Sequence, residues 1–297
     1  MEKEINAVCF GEVLFDNFPK HSKIGGAPLN VSLRLQSYGI NVAVISSVGK
    51  DGNGKKIISY LKKSGVNTKN ITVQEEYQTG CVNVVLNEKG IASYDIAYPV
   101  AWDKIVHKES QEGVVANSDF FVFGSLVCRD ALSRSTLFEL LKLAPYKVFD
   151  VNLRIPYYTQ ELLQDLMLAS DFIKFNDDEL FEIALTMGSK FNSLEQTIEF
   201  IAKETNTDTI CVTKGAYGAV LYISGTFYYN SGYRIKVLDT VGSGDSFLAS
   251  VLYKLFNNEK PQDAINFGCA VGAMVAKSEG ANPILTDLKI KKFMHPS

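Results

Sequence analysis

The sequence lacks any long block of charge of one sign, and its 30 basic residues are nearly balanced by 33 acidic residues. A protein that binds nucleic acid or an anionic membrane through surface charge normally carries a basic excess. The net charge of −3 therefore argues against both kinds of partner. The longest near-apolar stretches, such as FGCAVGAMVA, are far shorter than the ~20 residues that span a bilayer.

Cysteine is also scarce, and the number of cysteines is odd. The five residues are Cys9, Cys81, Cys128, Cys211 and Cys269. Wide spacing within mostly apolar stretches predicts buried, reduced thiols and argues against a disulfide framework or a zinc site. The N-terminal stretch MEKEINAVCFGEVLF contains acidic residues and only a short apolar run, which argues against a signal peptide. We therefore expect a cytoplasmic protein.

Short apolar runs alternate with helical patterns along most of the chain. The runs are INAVCF, NVAVISSV, DFFVFGS, YKVFDV, DFIKF and TICVTKG. Helices are predicted over Pro28–Tyr38, Gly54–Lys63, Ala131–Leu143, Glu161–Ala169, Asp177–Met187 and Leu194–Lys203. Nearly continuous apolar strands alternating with helices predict an α/β fold, a layered sandwich around a mostly parallel sheet. With 297 residues and no clear linker, we expect a single domain over residues 1–297.

Two further segments predict antiparallel strands outside this alternation. They cover about residues 12–24, beginning EVLFDNF, and about residues 77–100, which include CVNVVLNEKGIASYDIAY. The second contains NEKG, a hairpin turn signal. An edge hairpin and a small β-lid over the main sheet both explain the pattern.

Two glycine-rich stretches are candidates for a phosphate or nucleotide site. GKDGNGKK, from Gly49 to Lys56, is close to a P-loop, but Lys56 replaces the Ser or Thr that would hold Mg²⁺. Asp51 would also place negative charge inside a phosphate cradle, so an ordinary strand-to-helix turn is favoured.

The second stretch is DTVGSGDSF, which runs from Asp239 to Phe247. Phe247 replaces the third glycine of a dinucleotide fingerprint, which disfavours nicotinamide chemistry. Gly242 and Gly244 would let backbone N–H groups face an anion, and Asp245 would begin a helix. A flexible loop with a capping aspartate is the simpler alternative. As a phosphoryl-transfer site, the same stretch offers an anion cradle with a base at its edge.

The stretch resembles the D-T-x-G-A-G-D signature of the ribokinase (PfkB) family of carbohydrate kinases, with Ser243 where alanine is usual. GGAPLNVSLRLQSYG, GKDGNG, DVNLR, FNDDE, TKGAYG and EGANP are similar to further family motifs in the same order. The resemblance covers nearly the whole chain. It implies a ribokinase-like three-layer α/β/α sandwich with a small β-strand lid, and the lid interpretation of residues 77–100 becomes the favoured one.

The resemblance also implies roles for individual residues. Asp245 would be the general base, and Gly242, Ser243 and Gly244 would form the anion hole. ATP would be bound near Asn176, Thr213, Gly215, Gly218, Gly242 and Gly244. Asn176 and Glu179 would hold Mg²⁺ largely through water, although a helix cap explains this pair equally. Asp239, Val241, Ala276 and Ala281 would form a site for K⁺.

The implied sugar contacts are Asp16, Gly26 and Asn30, where Asp16 could instead be a plain turn residue. DVNLRIPYY and PVAWD resemble the fructokinase branch, and Arg154 would meet substrate or phosphate oxygens. We therefore expect a fructokinase that makes fructose 6-phosphate. Alternatives are a kinase for ribose, 2-keto-3-deoxygluconate or a nucleoside, and a non-catalytic sugar- or nucleotide-binding protein. A homodimer through the lid and a monomer both fit.

Overall fold

The computed structural model of the chain describes residues 4–18, 21–86 and 92–295. It forms two compact units. The first comprises Met1–Phe121 and Val127–Pro145, and the second comprises Val122–Leu126 and Tyr146–Ser297. The prediction of a single domain over residues 1–297 stays a prediction.

Within its described residues, the first unit contains three parallel strands and four α-helices. The strands are β1 (Asn6–Phe10), β4 (Asn41–Gly49) and β5 (Ile71–Gln74), and the helices are α1 (Ala27–Ser37), α2 (Gly52–Lys63), α3 (Glu109–Ala116) and α4 (Ala131–Leu141). β1 pairs with β4, and β4 pairs with β5. The predicted helices at residues 28–38, 54–63 and 131–143 are therefore confirmed to within two residues at each end.

The same unit carries a separate four-stranded sheet, formed by the two segments predicted to lie outside the alternation. Its strands are β2 (Leu14–Phe18), β3 (His21–Gly25), β6 (Gly80–Leu86) and β7 (Ala92–Ile96), in the order β3-β2-β6-β7. Both hairpins are antiparallel as expected, but β2 pairs with β6 in parallel, which the sequence did not indicate. The predicted turn NEKG lies outside the described residues.

The second unit contains the end of β8 (Phe120–Gly124) and five further strands, in the order β8-β9-β10-β11-β12-β13. These strands are β9 (Lys147–Asp150), β10 (Phe172–Asn176), β11 (Thr209–Thr213), β12 (Ala219–Ile223) and β13 (Thr226–Asn230). Its helices are α5 (Gln160–Leu168), α6 (Asp177–Thr186), α7 (Leu194–Thr205), α8 (Ser243–Phe256), α9 (Pro261–Ala276) and α10 (Asp287–Met294). β9, β10 and β11 pair in parallel, whereas β12 and β13 extend the sheet in antiparallel fashion.

Large apolar side chains from the strands fill the interior of both units. Phe10, Phe149 and Phe175 are fully buried. Their burial follows from the nearly continuous apolar runs that mark strands covered on both faces. No helix in the described part of the chain has the length and apolar character to cross a membrane.

The PVAWD motif forms a buried structural cluster in the first unit. The guanidinium group of Arg129 lies 4.1 Å from the centre of the Trp102 ring. Arg129 also binds Asp103 in bidentate fashion, with Nε–Oδ1 and Nη2–Oδ2 distances of 2.7 and 2.8 Å. The N–H of Val100 donates to Asp103 Oδ2 at 2.9 Å, so both carboxylate oxygens are satisfied. Burial raises the pKa of Asp103, and Arg129 opposes this effect.

Candidate functional site

The glycine-rich stretch forms the N-terminus of α8 in the second unit. Gly242 is the N-cap residue with φ +75°, and the helix begins at Ser243. A Cβ at Gly242 would collide with Ala281, so both the backbone conformation and the space require glycine. Asp245 therefore lies in the first turn of α8, and the helix begins two residues before the position that the sequence predicted. The cause of the difference is that Ser243 and Gly244 are already helical.

The start of α8 borders a cavity of about 820 Å³ within the second unit. Of the predicted nucleotide-binding residues, the cavity is lined by Thr213, Gly215, Gly218 and Gly244. Ser243 and Ala276, predicted for the anion hole and the K⁺ site, also line it. A cavity of this size, with an N-terminal helix end at its wall, suits an anionic nucleotide.

The loop between β11 and β12 forms one wall of this cavity. Gly215 and Gly218 have φ values of +52° and +81°, and a Cβ at Gly218 would collide with Asn230 and Gly232. Lys214 N donates to Gly218 O at 2.8 Å and closes the turn. The loop is therefore a tight corner that keeps the backbone close to the cavity.

Asn176 and Glu179 form a capping box at the start of α6. Asn176 Oδ1 accepts from Glu179 N at 2.8 Å, and Glu179 Oε2 accepts from Asn176 N at 2.8 Å. Glu179 Oε1 also accepts from Leu153 N at 2.9 Å. The helix-cap interpretation of the pair is thus confirmed, and in register Asn176 lies beside Thr213 on β11.

The same donor set is compatible with a hydrated magnesium ion. Mg²⁺ retains several waters and usually contacts only one or two carboxylates besides the substrate phosphates. The oxygens of Asn176 and Glu179 could accept hydrogen bonds from such waters with their remaining lone pairs. Among the described residues, no group of three or more His, Cys, Asp and Glu side chains is arranged to hold a metal ion directly.

Asp239 closes the loop that precedes α8. Its Oδ1 accepts from Val241 N at 3.0 Å, and its Oδ2 accepts from Gly280 N at 3.1 Å. The carbonyl of Ala276 accepts the N–H groups of Leu238 and Asp239 at 2.8 and 3.2 Å. The polar atoms of this loop are therefore largely used within the protein. The K⁺ site of Asp239, Val241, Ala276 and Ala281 stays a prediction.

A buried ion pair that the sequence analysis did not assign lies behind the start of α8. Lys174 Nζ and Asp150 Oδ1 are 2.8 Å apart, and their side chains are 8% and 4% exposed. Burial alone would lower the pKa of Lys174, but the charges of Asp150, Glu179 and Asp245 raise it above its ordinary value. A Cβ on Gly244 would lie 3.5 Å from Lys174 Nζ. The signal for this pair was the lysine inside the apolar run DFIKF.

Arg154 lies on an exposed loop of the second unit. Its Nη1 donates to the carbonyl of Leu153 at 2.8 Å, and its own carbonyl accepts from Tyr157 N at 2.8 Å. Asn152 has φ +41°, and the Ile155–Pro156 peptide bond is cis. Arg154 is thus held at a tight turn with its side chain exposed. Further residues that line the cavity, and to which the sequence analysis gave no binding role, include Tyr217, Tyr233, Arg234 and Cys269.

The predicted sugar-binding residues Asp16, Gly26 and Asn30 lie in the first unit. Gly26, with φ +109°, is the N-cap of α1, and a Cβ there would collide with the carbonyl of Glu12. Asn30 is buried in the first turn of α1, and its N–H donates to Gly26 O at 2.9 Å. Asp16 lies on β2 against Gly25, where a Cβ would collide with the Asp16 carboxylate. Asp16 is therefore a strand residue, not a turn residue.

The GKDGNG stretch is an ordinary strand-to-helix turn, as favoured over a P-loop. Asp51 is the N-cap of α2 and accepts from Gly54 N at 2.7 Å. It also accepts from the N–H and the hydroxyl of Thr79, both at 2.8 Å. Burial acts to raise the pKa of Asp51, but these hydrogen bonds outweigh it and lower the pKa. A carboxylate so committed is a structural cap.

Comparison with known proteins gives one consistent result. The profile of the pfkB family carbohydrate kinases matches residues 7–287. Probable fructokinase-5 of Arabidopsis thaliana is 26% identical over 318 residues, which cover 97% of this chain and 96% of the relative.

Two solved structures also superpose closely. The fructokinase of Vibrio cholerae O395, solved with fructose, ADP and calcium, has a TM-score of 0.83 at 22% identity and covers 98% of this chain and 99% of its own. A putative ribokinase II from E. coli, solved with ATP and Mg²⁺, has a TM-score of 0.85 at 19% identity. The superposition covers 99% of this chain and 100% of the E. coli chain. The fold is thus ribokinase-like, an α/β fold with a large, mostly parallel sheet, and the chain belongs to the PfkB family of carbohydrate kinases.

Proposed function

We propose that this sugar kinase transfers the γ-phosphoryl group of ATP to a hydroxyl of fructose and releases fructose 6-phosphate and ADP. The observation that carries the proposal is the start of α8, where Ser243 and Gly244 line the cavity, Gly242 is the N-cap residue and Asp245 follows within the first turn. An anion cradle joined to one carboxylate is what this reaction requires, because phosphoryl transfer depends mainly on positioning and charge stabilisation.

In this mechanism Asp245 accepts the proton of the attacking sugar hydroxyl. The hydroxyl oxygen forms a bond to the γ-phosphorus as the bond to the β–γ bridging oxygen breaks. The N–H groups of Gly242, Ser243 and Gly244 stabilise the negative charge of the transferring group. Thr213, Gly215, Gly218 and Asn176 bind the nucleotide. Asn176 and Glu179 would hold magnesium through water, and the ion would supply positive charge that neutralises the phosphates.

The sugar contacts proposed from the sequence are Asp16, Gly26 and Asn30, together with Arg154. A carboxylate and an amide can bind vicinal hydroxyls, and a guanidinium group can bind two oxygens at once. Similarity to plant and bacterial fructokinases at 22–26% identity supports fructose over other sugars. We further propose that the sheet β3-β2-β6-β7 serves as the lid. Its edge strands β3 and β7 offer surfaces for a homodimer.

A coupled assay of ADP release with Mg·ATP tests the reaction across fructose, ribose, glucose, 2-keto-3-deoxygluconate and adenosine. We expect turnover with fructose, and about a hundredfold or greater loss of kcat in Asp245→Asn, with ATP binding retained. Turnover with a different sugar would replace fructose but keep the mechanism. ATP binding without turnover of any sugar would favour a non-catalytic binding protein, and near-normal kcat in Asp245→Asn would contradict the assigned base.

A further inference from the structure

The buried pair Lys174–Asp150 differs from a second deeply buried ion pair of the described chain, Arg129–Asp103. Both carboxylate oxygens of Asp103 are hydrogen-bonded within the protein. Asp150 Oδ2, in contrast, is buried and has no hydrogen-bond partner among the described residues. A buried carboxylate oxygen without a partner is costly and rare, so its presence calls for an explanation.

The ammonium group of Lys174 is also only partly satisfied. In the described part of the chain its single hydrogen bond goes to Asp150 at 2.8 Å, although an ammonium group carries three donors. Lys174 and Asp150 are register partners on the neighbouring parallel strands β10 and β9. A pair that served the fold alone would be expected to complete its hydrogen bonds within the protein, as Arg129–Asp103 does.

The position of this cation connects it to the cradle. The distance of 3.5 Å between Lys174 Nζ and a Cβ built on Gly244 places the ammonium group against the backbone of the first turn of α8. Asp245 and Glu179 are close enough for their charges to act on Lys174. Because the interior has a low effective dielectric, a fixed positive charge here acts strongly on negative charge that develops at the cradle.

We propose that Lys174 is a positioning residue for phosphoryl transfer: its buried ammonium group, fixed by Asp150, lies behind the Gly242–Gly244 cradle and stabilises the negative charge of the transferring phosphoryl group. This inference rests on the proposed function and adds a fixed cation to the neutral N–H groups of the anion hole. The charge acts mainly when the phosphoryl group reaches the cradle, so it affects kcat more than the binding of ATP.

Double substitution separates this role from a structural one. Lys174→Met leaves Asp150 as an unpaired buried charge, so both stability and kcat are expected to fall. Asp150→Asn/Lys174→Met removes both charges, and loss of a complete buried pair is often neutral for stability. We expect this double variant to recover most of the lost Tm while its kcat stays about tenfold to a hundredfold below wild type, with the KM for ATP changed less than about threefold.

A second readout needs no sugar. Calorimetry of Mg·ADP binding with and without aluminium fluoride measures how much the site favours an analogue of the transferring phosphoryl group. We expect aluminium fluoride to strengthen Mg·ADP binding in the wild type, and we expect this increment in affinity to be lost in Asp150→Asn/Lys174→Met. Lys104→Met is the control, because Lys104 forms an ion pair with Asp130 at 2.6 Å in the first unit, and its kcat should be unchanged.

Recovery of wild-type kcat together with Tm in the double variant would overturn the inference, as would an unchanged aluminium fluoride increment. A double variant that does not fold would overturn it too, because the pair would then be a requirement of the fold. A third outcome is that aluminium fluoride strengthens Mg·ADP binding in the wild type but not in Asp150→Asn/Lys174→Met, while the wild type phosphorylates no sugar. This outcome would contradict the proposed function and leave the inference standing.

Discussion

At the scale of single residues, the two glycines of the cradle have different physical tasks. Gly242 adopts φ +75° and lies against Ala281, so the backbone itself requires glycine. Gly244 is helical, and a Cβ there would meet Lys174 Nζ at 3.5 Å, which is an ordinary contact distance. The fold therefore needs glycine at the first position, whereas at the second position the structure has room for a Cβ, and on the proposed function glycine there keeps the cradle open.

This difference gives a matched pair of variants. Gly242→Ala should lose about 1–2 kcal/mol of unfolding free energy or more, because a left-handed conformation is costly for alanine and the Cβ collides with its neighbour. Gly244→Ala should keep its Tm, since alanine favours helix, but should lose about tenfold or more in kcat because the methyl group occupies the cradle. Thermal unfolding and the ADP-release assay measure both effects. Equal loss of Tm in the two variants would contradict this division of tasks.

At the scale of secondary structure elements, Asp51 shows how a motif that resembles a functional loop serves as a structural cap. It joins the N-terminus of α2 to Thr79, which precedes β6. The hydrogen bonds lower the pKa of the carboxyl group despite its burial. A group with a depressed pKa in the folded state stabilises the protein above its unfolded pKa, and this contribution is lost as the pH falls through the folded value.

Asp51→Ala should therefore lower the unfolding free energy by about 2 kcal/mol near neutral pH, combining the loss of an N-cap with unsatisfied N–H groups. The difference in Tm between wild type and variant should begin to shrink as the pH falls below about 4, the pKa of an aspartate in the unfolded chain, and should continue to shrink until the pH passes the lower pKa of the folded carboxyl group. Thermal unfolding from pH 3 to pH 7 measures this. Asp51→Asn keeps an acceptor oxygen, so its Tm should lie between those of the wild type and Asp51→Ala. A Tm difference between wild type and Asp51→Ala that does not change with pH would contradict the role of the charge.

Most elements were predictable from sequence because their signals are local. The six predicted helices are all present, and the apolar runs became the strands of the sheet. The strands β12 and β13 were missed. β13 (TFYYN) is half-exposed and lacks a continuous apolar run, whereas β12 (AVLYI) is a short apolar run with three buried residues, so its signal was present in the sequence. The parallel pairing of β2 with β6 joins segments more than 60 residues apart, which no local pattern reports.

The candidate site also contains residues that a local sequence pattern indicates and residues that it does not. The glycine-rich stretch at the start of α8 was readable because its glycines and the following aspartate are adjacent in sequence, and its role as a phosphate cradle stays a prediction. Lys174 was not assigned because a lysine in a strand is normally exposed, and its burial depends on Asp150, 24 residues away. The start of α8 was placed too late because Gly and Ser disfavour helix as single residues.

At the scale of the whole molecule, the reactivity of the five cysteine thiols reports how tightly the interior is packed. Cys9, Cys128, Cys211 and Cys269 are buried and free, as predicted, whereas Cys81 is half-buried. Burial raises the pKa of Cys128 and Cys269 to about 12 and also raises the pKa of Cys9, Cys81 and Cys211. Protonated thiols react slowly, and this holds also for Cys269, which borders the cavity but has a raised pKa.

We expect at most one of the five thiols to react rapidly with a disulfide reagent at pH 8 in the native protein, and all five to react after unfolding in guanidinium chloride. Absorbance of the released thiolate counts the reacted groups. Cys81→Ser should abolish the rapid phase. Rapid reaction of several thiols in the native state would contradict the packing described here.

The start of α8 has a consequence for how this kinase balances stability against activity. Within the described residues no side chain caps this helix, although a Ser, Asp or Asn in a conventional N-cap position would contribute about 1 kcal/mol. On the proposed mechanism the incoming phosphate supplies the missing hydrogen-bond acceptor. The substrate thereby completes an element that the polypeptide leaves unfinished, and a more stable sequence at this position would be a poorer enzyme.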